Sequence, residues 1–353
     1  MKKALLIFSN HRVAEKIWPI IPELSKNFVL DLFLVGLFSS ETKWVGDVDE
    51  RLLCINKYQK YFNSIINGPG VDFHGDNITK DLSTFIKAEE YSFVIFDDNR
   101  PVSEFNIPLL YKKFSQLGIP VIGNSHGNEN SIGSYYNVAY DRRMVLGEKE
   151  LNADRLGIIG GIPSNDSLKK IKKKRNHILV ITNFLPLHTA GSNLFPITFD
   201  DNFVKSSGLL ELQQNFGLPI VVKLKTRLDD PDYQKNEEYV RGLLDCKIVS
   251  NCPNIDNLIG DSAIVISAPS TLCFKPIQLG IPTVMFKGAG AIGNFYDYSG
   301  LIDMDKNKTA NEINLQYKRG KDKKFISETI SGGCDFNSTE VYIDNLMNFI
   351  KKP

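Results

Sequence analysis

Short apolar runs alternate with amphipathic stretches along the chain. In the first half, the apolar runs that predict strands are Ala4–Phe8, Phe28–Val35, Phe93–Phe96, Val121–Ile122, Met144–Leu146 and Gly157–Ile159. Helical patterns between them are Ala14–Ser25, Ile78–Glu90 and Pro108–Leu117. Alternation of this kind is typical of βαβ units, so the first half is predicted to form a parallel sheet.

The same alternation starts again near His177. The predicted strands are His177–Thr182, Pro219–Leu224, Lys247–Val249 and Ala263–Ile266, and the predicted helices are Val204–Asn215, Ile255–Ile259 and Ser338–Lys352. Two α/β halves of about 170 residues each suit a chain of 353 residues. We therefore expect two domains, with their boundary within Asn165–His177.

A basic run lies at that boundary. Lys169–Arg175 carries six positive charges in seven residues. A solvated interdomain linker accounts for such a run. The alternative is a contact with a membrane surface, since basic residues are attracted to anionic lipid.

Composition narrows the classes of protein. Hydrophobic residues make up 42% and charged residues 24%, as in soluble globular proteins, and the net charge of +1 lacks the basic excess of nucleic-acid-binding domains. Five scattered cysteines without C-x-x-C spacing predict reduced thiols of a cytoplasmic protein. The apolar start of the chain is short and ends at Ser9, so it predicts a strand rather than a signal peptide.

The segment Val265–Phe286 has the most informative local pattern. A strand enters the small-residue turn Ser267–Thr271, a helix of about nine residues follows, and Gly280 ends it. Ser270 or Thr271 can cap that helix, which leaves backbone N–H groups and the positive end of the dipole in the turn. Such a helix start binds phosphate at the carboxyl end of a parallel strand, although any βαβ crossover has a similar pattern.

A cationic strand end precedes this segment. Lys223, Lys225 and Arg227 occupy alternate positions and therefore point to one side. Cations on one side require anionic partners. A diphosphate is one candidate, for which Arg is well suited, and nearby aspartates are the other.

In the first half, His126 and Gly127 directly follow a strand. A neutral imidazole at that edge can accept a proton from an attacking hydroxyl. Gly127 allows close approach of a substrate, and the adjacent Asn128 and Glu129 are candidate contacts. A structural loop histidine is the alternative.

Two loops of the second half hold further candidates. His188 and Thr189 follow its first strand, at the usual ligand edge of such a sheet. Asp297 lies in an aromatic segment after a Gly-rich stretch, and such loops can close over ligands. We take these three as candidate contacts for acceptor or phosphate. No two histidines have i, i+4 spacing, so no metal site is expected.

Together these segments resemble a glycosyltransferase of the GT-B architecture, nearest the CDP-glycerol glycerophosphotransferase-like and UDP-GlcNAc 2-epimerase-like group. The matching motifs are the "HG" His126-Gly127, the "GxPxxD" turn Gly161–Asp166, the strand end Lys223–Thr226, the "SxxST" turn Ser267–Thr271 and the "GxP" Gly280–Pro282. They follow in order over the whole chain.

The resemblance implies α/β architecture with two Rossmann-like domains facing each other across a cleft. Residues 1–168 would bind the acceptor, residues 169–337 the nucleotide donor, and the helix 338–353 would pack back across the junction. It further implies His126 as the base and Ser270 and Thr271 as ligands of the donor phosphates. The other candidate donor contacts come from the residues themselves, and they are Ser267, Lys223, Lys225, Arg227 and Lys275.

The expected activity is transfer of a sugar or polyol phosphate from a nucleotide-activated donor to a glycan or lipid-linked acceptor, in cell-surface polysaccharide or glycoconjugate synthesis. No metal or other cofactor is expected, and peripheral membrane association stays open. The chain departs from the pattern at Lys275, where many GT-B enzymes have a Glu that holds the donor ribose. That departure keeps a non-catalytic nucleotide- or glycan-binding module as an alternative. A UDP-sugar 2-epimerase-like enzyme is another, although the acidic constellation of that branch is not evident in the sequence.

Overall fold

A computed structural model describes residues 1–8, 14–34, 53–67, 86–97, 107–125, 140–152, 155–182, 199, 201–224, 233–250, 252, 254–267, 271–285, 302–303 and 309–351. The chain divides into two units. Unit 1 comprises Met1–Asp166 and Ser327–Pro353, and unit 2 comprises Ser167–Ile326.

Unit 1 is built on a seven-stranded sheet in the order β3-β2-β1-β4-β5-β6-β7, in which every pair is parallel. Its strands are β1 Lys3–Phe8, β2 Val29–Leu34, β3 Phe62–Asn67, β4 Tyr91–Phe96, β5 Val121–Asn124, β6 Arg142–Val145 and β7 Gly157–Ile159. All six strands predicted for this half are present. The edge strand β3 was not predicted.

The central strands of unit 1 are apolar because they are covered on both faces. Alternate residues contribute to two separate cores: Leu6 and Phe93 belong to one, and Leu5 and Val94 to the other. The C-terminal helix, Ser338–Lys351, closes the first core with Tyr342 and Leu346, both buried. Residues from the end of the chain thus belong to the same unit as its beginning.

Unit 2 is built on a six-stranded sheet in the order β10-β9-β8-β11-β12-β13, again with every pair parallel. Its strands are β8 His177–Ile181, β9 Ile220–Lys223, β10 Lys247–Val249, β11 Ser262–Ser267, β12 Thr283–Met285 and β13 Ile302–Asp303. One core packs on the face that carries Val180, Val222 and Ile266. The predicted α/β class with parallel sheets is confirmed in both units.

Eleven helices have printed bounds and vary in length, and residues 53–58 are also helical. They are α1 Ile21–Leu24, α2 Ile107–Gln116, α3 Glu148–Leu151, α4 Asp201–Ser206, α5 Leu209–Phe216, α6 Tyr233–Leu243, α7 Ile255–Gly260, α8 Phe274–Gln278, α9 Thr309–Arg319, α10 Lys323–Thr329 and α11 Ser338–Lys351. None of them combines the length and the apolar content needed to cross a bilayer.

Two predicted helices are interrupted. Within Ala14–Ser25, a 3-10 turn at Trp18–Ile20 leads into the short α1, because Pro19 and Pro22 fit only the first turn of a helix. Within Val204–Asn215, Gly208 has φ +84° and separates α4 from α5. Gly adopts this left-handed conformation at little cost, so it ends one helix before the next begins.

Candidate functional site

Each sheet has a point where the strand order reverses. In the first sheet, β2 and β3 lie on one side of β1 and β4 to β7 lie on its other side, so the order reverses between β1 and β4. In the second sheet, the order reverses in the same way between β8 and β11. In open parallel α/β sheets, ligands bind beyond the carboxyl ends of the strands at this switch point. The polar residues at these two edges are therefore the candidates for chemistry.

In unit 2, the sequence-predicted donor residues Lys223 and Ser267 lie in one row across the sheet. Each is in register with Ile181 at the end of β8, one on either side. Neighbouring strands are about 4.8 Å apart, so the two Cα atoms are roughly 10 Å apart across the switch point. Residues in register project to the same face, so an ammonium and a hydroxyl share one face at the ligand edge.

The surroundings of this row are ordered by hydrogen bonds. Thr182 Oγ1 donates to the carbonyl of Lys223 over 3.2 Å, which ties the ends of β8 and β9 together. Lys223 is half-buried, and its Nζ donates to the carbonyl of Leu224 over 3.1 Å. Ser267 is fully buried. The row therefore holds one positive charge near the sheet edge.

The helix after β11 differs from the prediction. Thr271 begins a 3-10 turn, Thr271–Cys273, and α8 follows with Cys273 as its N-cap and no side-chain capping bond. Pro276 lacks an N–H and suits only the first turn of a helix, which explains why α8 begins at Phe274. The prediction that Thr271 caps the α-helix is wrong, and Ser270 lies outside the described residues.

Lys275, the departure from the resemblance, is paired within unit 2. Its Nζ contacts Asp256 Oδ1 at 2.5 Å, and both side chains are largely buried. Asp256 Oδ2 also accepts a hydrogen bond from Ser167 Oγ over 3.2 Å. The charge of Lys275 is thus balanced in this structure, and its contact with a donor stays a prediction.

In unit 1, Asn124 ends β5 at the ligand edge. Its Nδ2 donates to the carbonyl of Phe96 over 2.5 Å, and its Oδ1 accepts a hydrogen bond of 2.9 Å from Tyr342 of α11. Both side chains are buried, and burial raises the pKa of the Tyr342 phenol. The amide of Asn124 thus joins β5 to β4 and to the C-terminal helix.

Ser125 follows Asn124 and is held by a buried carboxylate. Ser125 Oγ donates to Glu150 Oε1 over 2.7 Å, and the N–H of Leu146 donates to Glu150 Oε2 over 2.6 Å. The N–H of Ser125 donates to the carbonyl of Met144 over 3.0 Å. The backbone immediately before His126 is therefore fixed through both its main chain and its side chain.

The other ten predicted site residues all lie outside the described residues. They are His126, Gly127, Asn128, Glu129, His188, Thr189, Lys225, Arg227, Ser270 and Asp297. Their roles stay predictions. Among the residues that the structure describes, no group of three or more His, Cys, Asp or Glu is placed to hold a metal ion.

Sequence reasoning missed the polar residues of unit 1, namely Asp97, Asn124, Ser125, Glu150 and Tyr342. Asp97 directly follows β4 and is fully buried. The sequence offered one signal for three of them, which is the position of Asp97, Asn124 and Ser125 at the ends of apolar strands. Nothing in the sequence indicated that Tyr342 would reach Asn124.

Known proteins share this fold. No protein-family model matches the sequence, and neither does any curated protein. Among solved structures, a UDP-GlcNAc 2-epimerase from Neisseria meningitidis bound to UDP-GlcNAc is similar to the chain, with a TM-score of 0.62 at 14% identity, covering 98% of this chain and 100% of that one. A UDP-GlcNAc 2-epimerase from Methanocaldococcus jannaschii in complex with UDP-GlcNAc and UDP gives a TM-score of 0.60 at 13% identity, over 98% of this chain and 99% of that one.

A glycosyltransferase from Rickettsia africae is also similar, with a TM-score of 0.53 at 12% identity over 99% of this chain and 96% of that one. At such identities the likeness establishes the fold, which is the two-domain α/β fold of GT-B proteins. The predicted GT-B fold is confirmed.

Proposed function

We propose that this protein is a transferase that uses a nucleotide-activated sugar or polyol phosphate. The observation that carries the proposal is the row of Lys223 and Ser267 at the switch point of the second sheet. A hydroxyl and an ammonium on one face of a ligand edge suit the diphosphate of an activated donor. The fold supports the same class, since the similar solved structures include proteins bound to UDP-GlcNAc or UDP.

Unit 2 would bind the donor phosphates through Lys223 and Ser267, with Thr271 in the turn that follows β11. Lys225, Arg227 and Ser270 are proposed as further ligands on the basis of their positions in the sequence. Positive charge beside the phosphates would stabilise the negative charge that develops on the leaving group, which is the usual source of rate enhancement in such a step.

His126 is the proposed base. Its imidazole would accept the proton of an acceptor hydroxyl as the oxygen attacks the anomeric carbon of the donor. A bond between that carbon and the acceptor oxygen forms, the bond to the diphosphate oxygen breaks, and the nucleoside diphosphate leaves with the electron pair. With a polyol-phosphate donor, the oxygen attacks phosphorus instead and a nucleoside monophosphate leaves. Ser125 and Glu150 would fix the backbone from which His126 extends.

A second candidate is a UDP-GlcNAc 2-epimerase-like activity. It is favoured by the comparison of folds, since the two epimerases give TM-scores of 0.62 and 0.60 and the glycosyltransferase gives 0.53. Asp97, buried at the carboxyl end of β4, is a carboxylate at the ligand edge that such proton-transfer chemistry could use.

One experiment separates these activities. The purified protein is first screened by thermal shift against CDP-, CMP-, UDP- and GDP-linked compounds, because a ligand that binds the folded state raises the melting temperature. The best binder is then incubated with and without glycan and lipid-linked acceptors, with EDTA added to a parallel set. Nucleotide release that requires an acceptor supports the transferase, and conversion of the sugar to its 2-epimer without an acceptor supports the epimerase. Binding without either product would identify a non-catalytic module and overturn both proposals.

The proposed acceptor is a glycan or a lipid-linked glycan, and the proposed place of action is the cytoplasm. The acceptor rests on the sequence resemblance, and the cytoplasmic location rests on the five scattered cysteines. A transferase of this class would serve the synthesis of cell-surface polysaccharide or glycoconjugates.

A further inference from the structure

Two basic segments that are far apart in sequence lie at the same edge of unit 2. The first is Lys169–Arg175, with six cations, and the second is Lys318–Lys324, with five cations and Asp322. The first segment directly precedes the β8 region, and the second begins at the end of α9 and continues into α10. We call the surface formed by these two segments the basic surface.

The first segment follows a fixed path along unit 2. The N–H of Lys174 donates to the carbonyl of Gly260 over 3.1 Å, and the N–H of Asn176 donates to the carbonyl of Asp261 over 2.7 Å. Ile171 packs so closely on Gly260 that a Cβ at that glycine would collide with it. Backbone bonds and packing therefore hold this run in place, which a simple solvated linker would not require.

Three contacts bring the second segment next to the first. The guanidinium carbon of Arg175 lies 4.8 Å from the centroid of the Tyr317 ring. Lys173 Nζ donates to the carbonyl of Leu279 over 3.0 Å. On the next residue, a Cβ at Gly280 would lie 3.4 Å from the Cβ of Lys321. Residues 279–280 thus lie between the two segments, which form one continuous surface.

The basic surface has a large positive charge, whereas the rest of the chain has a net negative charge. The two segments carry +6 and +4, whereas the whole chain carries +1, so all other residues together carry −9. Every cation of the surface is exposed except the half-buried Lys321. Nearby Asp261 is already paired with Lys174 at 3.0 Å. The surface therefore has an excess of exposed positive charge.

One apolar side chain accompanies these cations. Leu315 is 47% exposed, and Lys318 and Arg319 lie three and four positions later on α9, on the same side of the helix. An exposed leucine among cations is typical of helices that rest on a membrane surface. Tyr317 is half-buried and covered by Arg175, so it offers no open ring on which a nucleic-acid base could stack.

We propose that the basic surface binds the head groups of anionic lipids and holds unit 2 against a membrane. Basic residues near such a surface each strengthen binding by a factor of about five. The leucine would insert at the level of the head groups. This inference goes beyond the proposed function and does not depend on it, because it concerns an edge of unit 2 away from the row of Lys223 and Ser267.

The test measures co-sedimentation of the full chain with vesicles of phosphatidylcholine mixed with phosphatidylglycerol, and with vesicles of phosphatidylcholine alone. One variant replaces Lys169, Lys170 and Lys172 by Glu, and a second replaces Lys318, Arg319 and Lys324 by Glu. The matched control replaces the exposed Lys2, Lys112 and Lys351 of unit 1 by Glu, with the same change in net charge.

Binding is expected only to the vesicles with phosphatidylglycerol. The partition coefficient of each basic-surface variant should fall by at least about tenfold, and that of the control by less than about twofold. Leu315→Ser should lower the partition coefficient a few-fold. Melting temperatures and nucleotide binding should be unchanged. If a Glu variant does not fold, the corresponding Gln variant replaces it.

Three results would overturn the inference. They are equal losses in the control and the basic-surface variants, equal binding to both kinds of vesicle, and retention by polyuridylate in preference to the anionic vesicles at the same salt concentration.

Discussion

Tyr342 donates a hydrogen bond of 2.9 Å to Asn124, a residue 218 positions earlier in the chain. The phenol belongs to the C-terminal helix, and the amide ends β5 at the ligand edge of unit 1. Since both groups are buried, neither can turn to water if the other is lost. The C-terminal helix therefore supports the strand end that leads to the proposed base.

We predict that Tyr342→Phe destabilises the protein by roughly 1–3 kcal/mol, because Asn124 Oδ1 would be left buried without this donor. Urea denaturation of the two proteins measures the difference. Tyr61→Phe, which removes the phenol oxygen of a half-buried tyrosine in the same unit, should change stability by less than about 0.5 kcal/mol. Equal effects of the two substitutions would show that the bond to Asn124 contributes little.

His126→Ala should lower turnover by about 10²–10⁴ if the imidazole accepts the acceptor proton. Donor affinity, measured by calorimetry with the nucleotide identified in the thermal-shift screen, should stay within about twofold, because the proposed donor ligands are on unit 2. Unchanged turnover would remove His126 from the mechanism while leaving the donor site intact.

Ser125→Ala tests whether the bond to Glu150 positions that base. Loss of the hydroxyl leaves Glu150 Oε1 without its donor and loosens the backbone before His126. A misplaced catalytic group costs roughly 10-fold to 100-fold, so kcat should fall within that range while KM for the donor changes little. Ser125→Thr, which keeps a hydroxyl, should restore much of the rate. A general loss of stability with proportionate loss of activity in both variants would indicate a structural role only.

Strands that contain a continuous apolar run could be predicted from the sequence. β1, β4, β8 and β11 are buried on both faces over most of their length, so each contains an apolar run of at least four residues. β3 was missed because Phe62-Asn-Ser-Ile-Ile-Asn67 mixes polar and apolar residues, as a half-exposed edge strand can. The interrupted helices within Ala14–Ser25 and Val204–Asn215 were predicted as single helices, because the apolar periodicity of the sequence continues through the glycine or proline at which a helix ends.

The candidate site was predictable to the extent that it follows the strands. Lys223 and Ser267 stand at strand ends, so parallel-sheet topology alone places both at the ligand edge. Their alignment on either side of Ile181 depends on strand order, which the sequence did not specify. The bonds of Asn124 with Tyr342 and of Ser125 with Glu150 are tertiary contacts, and no local pattern encodes them.

The donor site can be tested with the double variant Lys223→Ala, Thr271→Val. Removal of an ammonium and a hydroxyl near the proposed phosphates should weaken nucleotide binding by at least about tenfold, since charge-assisted hydrogen bonds contribute roughly 1.5–3 kcal/mol each. The fold should be retained, as shown by circular dichroism. Lys247→Ala, at an exposed position at the start of β10, is the control and should leave affinity unchanged. Wild-type affinity in the double variant would place the phosphates elsewhere.

The buried carboxylate of Asp31, on β2 of the first sheet, makes the stability of the protein depend on pH. Asp31 of β2 accepts hydrogen bonds of 3.0 Å from Asn63 and 3.0 Å from Tyr91, and its Oδ2 lies 3.2 Å from Lys3 Nζ. Burial opposes ionisation of Asp31, but hydrogen bonds from these partners and Ser64 outweigh it, so the pKa of Asp31 is lower than the ordinary value of 3.8. The folded state therefore holds the proton less tightly than the unfolded state does.

A lowered pKa in the folded state means that ionised Asp31 stabilises the protein above the ordinary pKa of 3.8, and that this contribution is lost as pH falls through the lower folded-state value. Asp31→Asn should thus destabilise the protein by roughly 1–3 kcal/mol at neutral pH, because it removes the charge that its donors satisfy. The difference from wild type should shrink once the pH is below about 4, where the unfolded wild-type side chain takes up its proton. Urea denaturation across this range measures it, with the exposed Asp344→Asn of α11 as the control. A deficit for Asp31→Asn that stays constant from neutral to acidic pH would show that the charge of Asp31 is not the source of the stabilisation.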